Sequence, residues 1–218
     1  MPHSYERSWV EISKSAFEHN IRQLKAIIPV GTIFAPVIKA NAYGHGMYEI
    51  ATMCQKSPHI DWMCVGLLSD ALALRTHGIT KPLLVIGCID TDPALALNHS
   101  IQLLVHSYAA AEELSMIAIA HKKIFDVHIK IDTGLSRLGL MHTHAAAQIE
   151  AITRLPGLRI TGIYSHLAQA QAEDASYSQH QISLFKTVIA QLKNHNMVPP
   201  YLHISNSAAT MRFNIPEC

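Results

Sequence analysis

Charge is scarce in this 218-residue sequence: Asp, Glu, Lys and Arg make up 15% of it, and the formal net charge is +1. No block of basic residues occurs, so neither nucleic acid nor an anionic membrane surface is an expected partner. Cysteine is sparse as well. Cys54, Cys64, Cys88 and Cys218 form no Cys-x-x-Cys pair and no pattern typical of a secreted disulfide framework. The fifteen histidines are scattered without metal-site spacing, so no metal is expected. No apolar run reaches membrane-spanning length, and Met1-Pro2-His3-Ser4-Tyr5-Glu6-Arg7 lacks the apolar stretch of a signal peptide. With these classes set aside, a cytoplasmic enzyme is the default expectation.

What is present is an alternation of apolar runs and amphipathic segments. Trp9 to Ile12 reads as a short strand, and Ser13 caps a helix whose Phe17, Ile21, Leu24 and Ile28 share one face. Further strands are expected at Ile33 to Ile38, Trp62 to Leu67, Leu83 to Gly87, Ile101 to Val105, Ile124 to Ile131, Leu158 to Tyr164 and Tyr201 to Ile204. Helices fall between them. Ser69 caps one running through His77, Asp92-Pro93 opens a short one with Pro in its first turn, and Ser107 opens one to about His121. Others cover about Thr143 to Arg154, about Tyr177 to Asn194, and from Ser207 to Met211. Each strand-helix unit takes roughly 25–35 residues, as in a (β/α)8 barrel of the TIM type.

Pro36-Val37-Ile38-Lys39-Ala40-Asn41-Ala42-Tyr43-Gly44-His45-Gly46 places one lysine where a buried strand gives way to a glycine-rich turn and a helix beginning at Met47. A lysine on such a platform suits amine chemistry with an aldehyde cofactor such as pyridoxal phosphate; it also suits a lysine snorkelling to water at a strand end. In the fifth strand, Phe125, Val127, Ile129 and Ile131 alternate with Asp126, His128, Lys130 and Asp132. In a barrel the apolar set faces the outer helices and Lys130 points inward, near Arg137. Two cations in one cleft are costly unless an anion intervenes or one is neutralised.

The Lys39 stretch resembles the cofactor-lysine segment of alanine racemases, which are fold-type III pyridoxal phosphate enzymes. Asp132-Thr133-Gly134-Leu135-Ser136-Arg137-Leu138-Gly139, Tyr164-Ser165-His166-Leu167-Ala168 and Leu202-His203-Ile204-Ser205-Asn206-Ser207-Ala208-Ala209 resemble three further segments of that family in the same order. The resemblance implies interconversion of L- and D-alanine, with D-alanine destined for cell-wall peptidoglycan. It implies that Lys39 holds the cofactor and exchanges the substrate α-proton on one face, and that Tyr43 sits near the phosphate. Arg137 is placed against the phenolic oxygen and the substrate carboxylate, and His166 against the pyridine ring. Asn206 and Ser207 fall at the phosphate, although the same residue types serve as plain helix caps. His203 is a weaker candidate inside the barrel. The lysine matching Lys130 is commonly carbamylated in the family.

Residues 1–218 thus read as one (β/α) barrel domain, truncated before its eighth strand at Asn214-Ile215-Pro216-Glu217-Cys218. The family's separate β-domain, its second catalytic base (a tyrosine reaching in from the partner subunit) and its arginine to the pyridine nitrogen have no counterpart here. The resemblance implies a homodimer for full-length relatives and weak activity for this chain alone. Two other readings share these residues: a racemase of wider amino-acid range, and a single-barrel protein that holds pyridoxal phosphate without racemising anything.

Overall fold

The apolar runs become the strands of one parallel sheet in the computed structural model, which describes residues 8–213 and 215. The long strands are β1 (Met63–Leu67), β2 (Leu83–Cys88), β3 (Ile101–Val105), β4 (Phe125–Asp132), β6 (Leu158–Tyr164) and β7 (Tyr201–His203), and a two-residue strand β5 (Leu140–Met141) lies among them. Their order is β1-β2-β3-β4-β6-β7, with β5 beside the end of β4. Every pairing is parallel, and helices make the crossings between the long strands, while a loop alone joins β4 to β5.

The crossings are α4 (Leu68–Thr76), α5 (Ala94–His99), α6 (Tyr108–His121), α7 (Ala145–Thr153) and α8 (Ser176–Asn194). Ahead of the sheet stand α1 (Lys14–Ile27), the short turn α2 (Lys39–Tyr43) and α3 (Met47–Lys56), and α9 (Ser207–Arg212) follows β7. The core lies between strands and helices: Val65, Val85, Leu103, Val127, Ile129 and Ile163 pack with Leu68, Leu74, Leu114, Ile149, Phe185 and Leu192. The other face of the sheet curls inward. The Trp62 ring, just before β1, meets the Tyr201 ring of β7 at 4.7 Å, and α1 packs on α9. The result is an open (β/α) barrel of TIM type. No helix among the described residues is long and apolar enough to cross a membrane.

Four local expectations are corrected. Trp9 to Ile12 forms no strand: it is extended, with Trp9 64% exposed and no neighbouring strand to pair with. The lysine strand is reduced to one bridge, Val37 to Cys64. Pro36 lacks an N–H and contributes only its carbonyl, which accepts from Cys64, while Ile38 donates to the Cys64 carbonyl at 2.8 Å. Ser69 does not cap α4, which begins at Leu68; its N–H and hydroxyl both donate to Asp90. Pro93 stands at the cap of α5 rather than in its first turn, with Asp92 accepting from Ala94. Strand β5 is too short for any periodicity to reveal. Ser13 and Ser107 do cap α1 and α6 through their side chains. Asn214, Pro216, Glu217 and Cys218 lie outside the described residues.

Candidate active site at the carboxyl ends of the strands

Lys39 follows Ile38, a core residue 2% exposed. From there the chain makes a left-handed turn: Ala40, Asn41, Ala42 and Tyr43 all have φ between 51 and 54°. Left-handed backbone costs an L-residue roughly 1–2 kcal/mol, so such a turn persists only where its surroundings hold it. Ala42 N–H donates to the Ile38 carbonyl and Gly46 N–H to Asn41, each at 3.0 Å. The Asn41 side chain then accepts from Met47 N–H at 2.8 Å, closing the start of α3. Lys39 itself lies across β1 at Gly66, where any Cβ would stand 3.2 Å from the Lys39 Cβ. A side chain at position 66 would require the lysine to give by a few tenths of an ångström.

Lys130 projects from β4 into the barrel, 3% exposed, with Nζ 5.7 Å from the centre of the Tyr164 ring. Burial, and then the charges of Arg137 and Lys39, push its amine down to about 8 against the opposing pull of Asp132. The His166 imidazole is pushed down by burial and by Lys130, Arg137 and Lys39 in turn. Four basic groups, from the Lys39 turn, β4, the loop after β4 and the end of β6, therefore share one mouth. The nearby carboxylate of Asp132 is committed to its own loop: one oxygen accepts from Gly134 N–H at 2.9 Å and Ser136 N–H at 3.0 Å. Arg137 makes no hydrogen bond or ion pair among the described residues. A concentration of cations with its one acid already engaged is the electrostatic form of an anion site.

Beneath this mouth the barrel interior is polar but neutral. Tyr164 stacks on His203 with centroids 4.7 Å apart and planes 1° from parallel, and its hydroxyl donates to the Ile86 carbonyl at 3.3 Å. Burial, with the nearby Cys64, drives the Tyr164 phenol far above its usual range. His203 Nε2 meets His128 Nδ1 at 2.9 Å, and His128 Nε2 meets Gln102 at 3.2 Å. Burial, aided by His128, holds His203 down at about 3, and burial outweighs Asp126 to hold His128 at about 4. Both rings are neutral at physiological pH, so the floor adds no charge to the mouth.

The remaining candidates lie on other segments of the same sheet end. Tyr43 is 61% exposed at the end of the left-handed turn. Asn206 caps α9, accepting from Ala209 N–H at 3.0 Å, and Ser207 is exposed at the first helical position. The sequence pattern did not single out Gln181, wholly buried on α8, which bonds to the loop after β6 and reaches toward Thr133 after β4 at 3.5 Å. Its signal was faint: it shares a helix face with Tyr177, four residues earlier.

The fold and these side chains define a class: a parallel barrel protein whose cationic mouth lies at the carboxyl ends of its strands. More specifically, the chain belongs to the family of the alanine racemase N-terminal domain, whose model matches residues 12–218. It is 35% identical over 208 residues to an alanine racemase of Synechocystis, covering 94% of this chain and 56% of that protein. It is 36% identical over 203 residues to one of Methanococcus maripaludis, covering 92% and 54%. Among solved structures, alanine racemase from Bacillus anthracis with bound L-Ala-P superposes with a TM-score of 0.86 at 30% identity, covering 96% of this chain and 54% of that one. The Clostridium difficile enzyme in complex with cycloserine gives 0.82 at 29%, covering 90% and 54%. The chain spans about half the length of the curated relatives it matches.

Proposed function

We propose that residues 1–218 form the pyridoxal phosphate-binding barrel of an alanine racemase, which interconverts L- and D-alanine in the cytoplasm and supplies D-alanine for peptidoglycan. The observation that carries this reading is the convergence of Lys39, Lys130, Arg137 and His166 on one mouth. These residues fit the cofactor. The group is an aldehyde bearing a phosphate and a phenolate, and it asks for one amine held on a rigid platform among uncompensated cations. When bound, it draws electrons from an amino acid's α-carbon and so acidifies the α-proton.

The chain's own residues divide the work around it. Lys39, beside Gly66 at the start of the left-handed turn, would hold the cofactor's aldehyde carbon, and its Nζ would take or return the α-proton on one face. Arg137 would hold the phenolic oxygen and the substrate carboxylate, and His166 would pack against the ring. Tyr43, Asn206 and Ser207 would hold the phosphate. Lys130 supplies charge balance. An amine held at about 8 keeps roughly a tenth of its population neutral at pH 7, and a neutral amine adds carbon dioxide to form an N–C bond with release of a proton. The carbamate so formed turns a third cation into an anion facing Arg137. A 13C resonance of a carbamate from labelled bicarbonate, absent in Lys130→Met, is the expected signature; no such resonance in the unaltered protein overturns it.

The whole reading is tested by adding pyridoxal phosphate, recording the near-visible absorbance, reducing with borohydride and mapping peptides. A label on Lys39 is expected. Cofactor that washes away unreduced, or a label on another lysine, overturns it. Adding L-alanine in deuterated water then separates racemase chemistry from mere cofactor holding, since α-proton exchange requires a working base. The family resemblance implies a homodimer for the full-length protein, and sedimentation with and without cofactor measures the association of this chain.

A further inference from the structure

Two loops carry the chemistry of the mouth. The one after β4 holds Arg137, and the one after β6 holds His166. They belong to neighbouring strands, yet no backbone hydrogen bond joins them beyond the end of β6 among the described residues. What spans them is the Thr133–Ser165 hydroxyl pair together with one face of α8. The Gln181 amide oxygen accepts from Ala168 N–H at 2.9 Å, and its Nε2 donates to the His166 carbonyl at 3.2 Å and toward the Thr133 hydroxyl at 3.5 Å. A donor on one side and an acceptor on the other allow only one orientation of the amide. The Thr133 hydroxyl in turn meets that of Ser165 at 2.7 Å, and all three side chains are buried. One turn earlier on the same helix face, the Tyr177 hydroxyl donates to the Gly134 carbonyl at 2.8 Å. Gly134 is fitted to that contact: its φ is +125°, and a Cβ there would lie 2.5 Å from the Tyr177 oxygen.

We propose that Gln181 and Tyr177 of α8 are positioning residues that clamp the Arg137 loop to the His166 strand end and so set where both groups stand against a bound ligand. The assignment of the ligand rests on the cofactor reading above; the clamp itself is geometry of this chain. The buried network would cost stability if one partner were removed, so a purely structural role must be told apart from positioning. Arg137 provides the means. A cation held against a phenolic oxygen lowers the pH at which that oxygen ionises, so a loosened Arg137 raises it.

The test compares the unaltered chain with Gln181→Met, Tyr177→Phe and, as a surface control on the same helix, Gln191→Met. Hydrogen exchange without cofactor is read first. Faster exchange confined to peptides covering 133–139 and 165–172 is expected in Gln181→Met and, for 133–139, in Tyr177→Phe. With pyridoxal phosphate, Gln181→Met is expected to bind about tenfold more weakly. The pH midpoint of the bound cofactor's absorbance is expected to move upward in both clamp variants and to stay in place in the control. Exchange that quickens throughout the sheet, or unchanged exchange and midpoint in Tyr177→Phe, overturns the clamp. If Gln181→Met does not fold, Tyr177→Phe decides alone, since it removes one hydroxyl and keeps the ring. If the unaltered chain fails to label Lys39, the cofactor reading fails by itself, and exchange in the two loops still supports or overturns the clamp.

Discussion

Lys130 shows how one residue's environment becomes a measurable property. Its buried amine, beside Arg137 and Lys39, is held at about 8, whereas an unfolded lysine titrates near 10.5. Between those values the unfolded chain binds more protons than the folded one, so this residue's contribution to stability rises with pH. Cys54 and Cys64 act the opposite way. Burial pushes both thiols up to about 12, so above the usual thiol range the unfolded state ionises first and stability falls. The clean measurement is therefore a difference: urea unfolding of the unaltered chain and of Lys130→Met, in carbon dioxide-free buffer, from pH 7 to 10.5. The variant is expected to be the more stable by on the order of 2 kcal/mol at pH 7, discounted for solvent at the amine end, with the gap closing as pH rises. A gap that does not change with pH would mean that Lys130 binds its proton in the folded chain as it does in the unfolded one, as a well-solvated lysine would.

At the scale of elements, two helix ends carry predictions. Asn41 tolerates the left-handed turn and accepts from the first N–H of α3, so Asn41→Ala removes both services. A loss of about 1–2 kcal/mol is expected in urea unfolding, together with weaker reaction of Lys39 with aldehydes, because the turn also seats that lysine. Ser178 on α8 is the reverse case. Its hydroxyl is wholly buried and has no partner among the described residues. Ser178→Ala is expected to raise stability by about 1 kcal/mol, seen as a melting temperature higher by about 2–4 °C. The helices were legible in outline: the apolar faces of α1 and α8 follow from the spacing of their apolar residues. The left-handed run after Lys39 was not legible. Ala40 and Ala42 prefer the right-handed region, and hydrogen bonds to Ile38, Gly44 and His45, with those of Asn41 to Gly46 and Met47, hold them out of it.

For the whole molecule, the curl of the sheet turns separate motifs into one site. Trp62 and Tyr201, from opposite edges, meet inside the barrel, and α1 closes against α9. A ligand bound by groups from several strand ends stabilises the fold as a unit. Pyridoxal phosphate at a hundredfold excess over its dissociation constant is expected to add about 2.7 kcal/mol, a rise of roughly 5–10 °C in melting temperature. Lys39→Ala should lose most of that rise. An unchanged rise in that variant would place the bound cofactor elsewhere than on Lys39.

The sequence alone determined the alternation of strand and helix, the inward face of β4, and the segments holding Lys39, Arg137 and His166, because apolar period and glycine-rich turns are local and survive in one dimension. It also carried the family resemblance through four ordered motifs. Only the tertiary structure decided that Trp9 to Ile12 pairs with nothing, that the lysine strand shrinks to one bridge beside Pro36, and that Gln181 faces two loops rather than water. A glutamine inside a helix looks the same in sequence whether solvated or buried. What distinguishes it is which carbonyl and which N–H the folded chain brings within 3.2 Å of its amide.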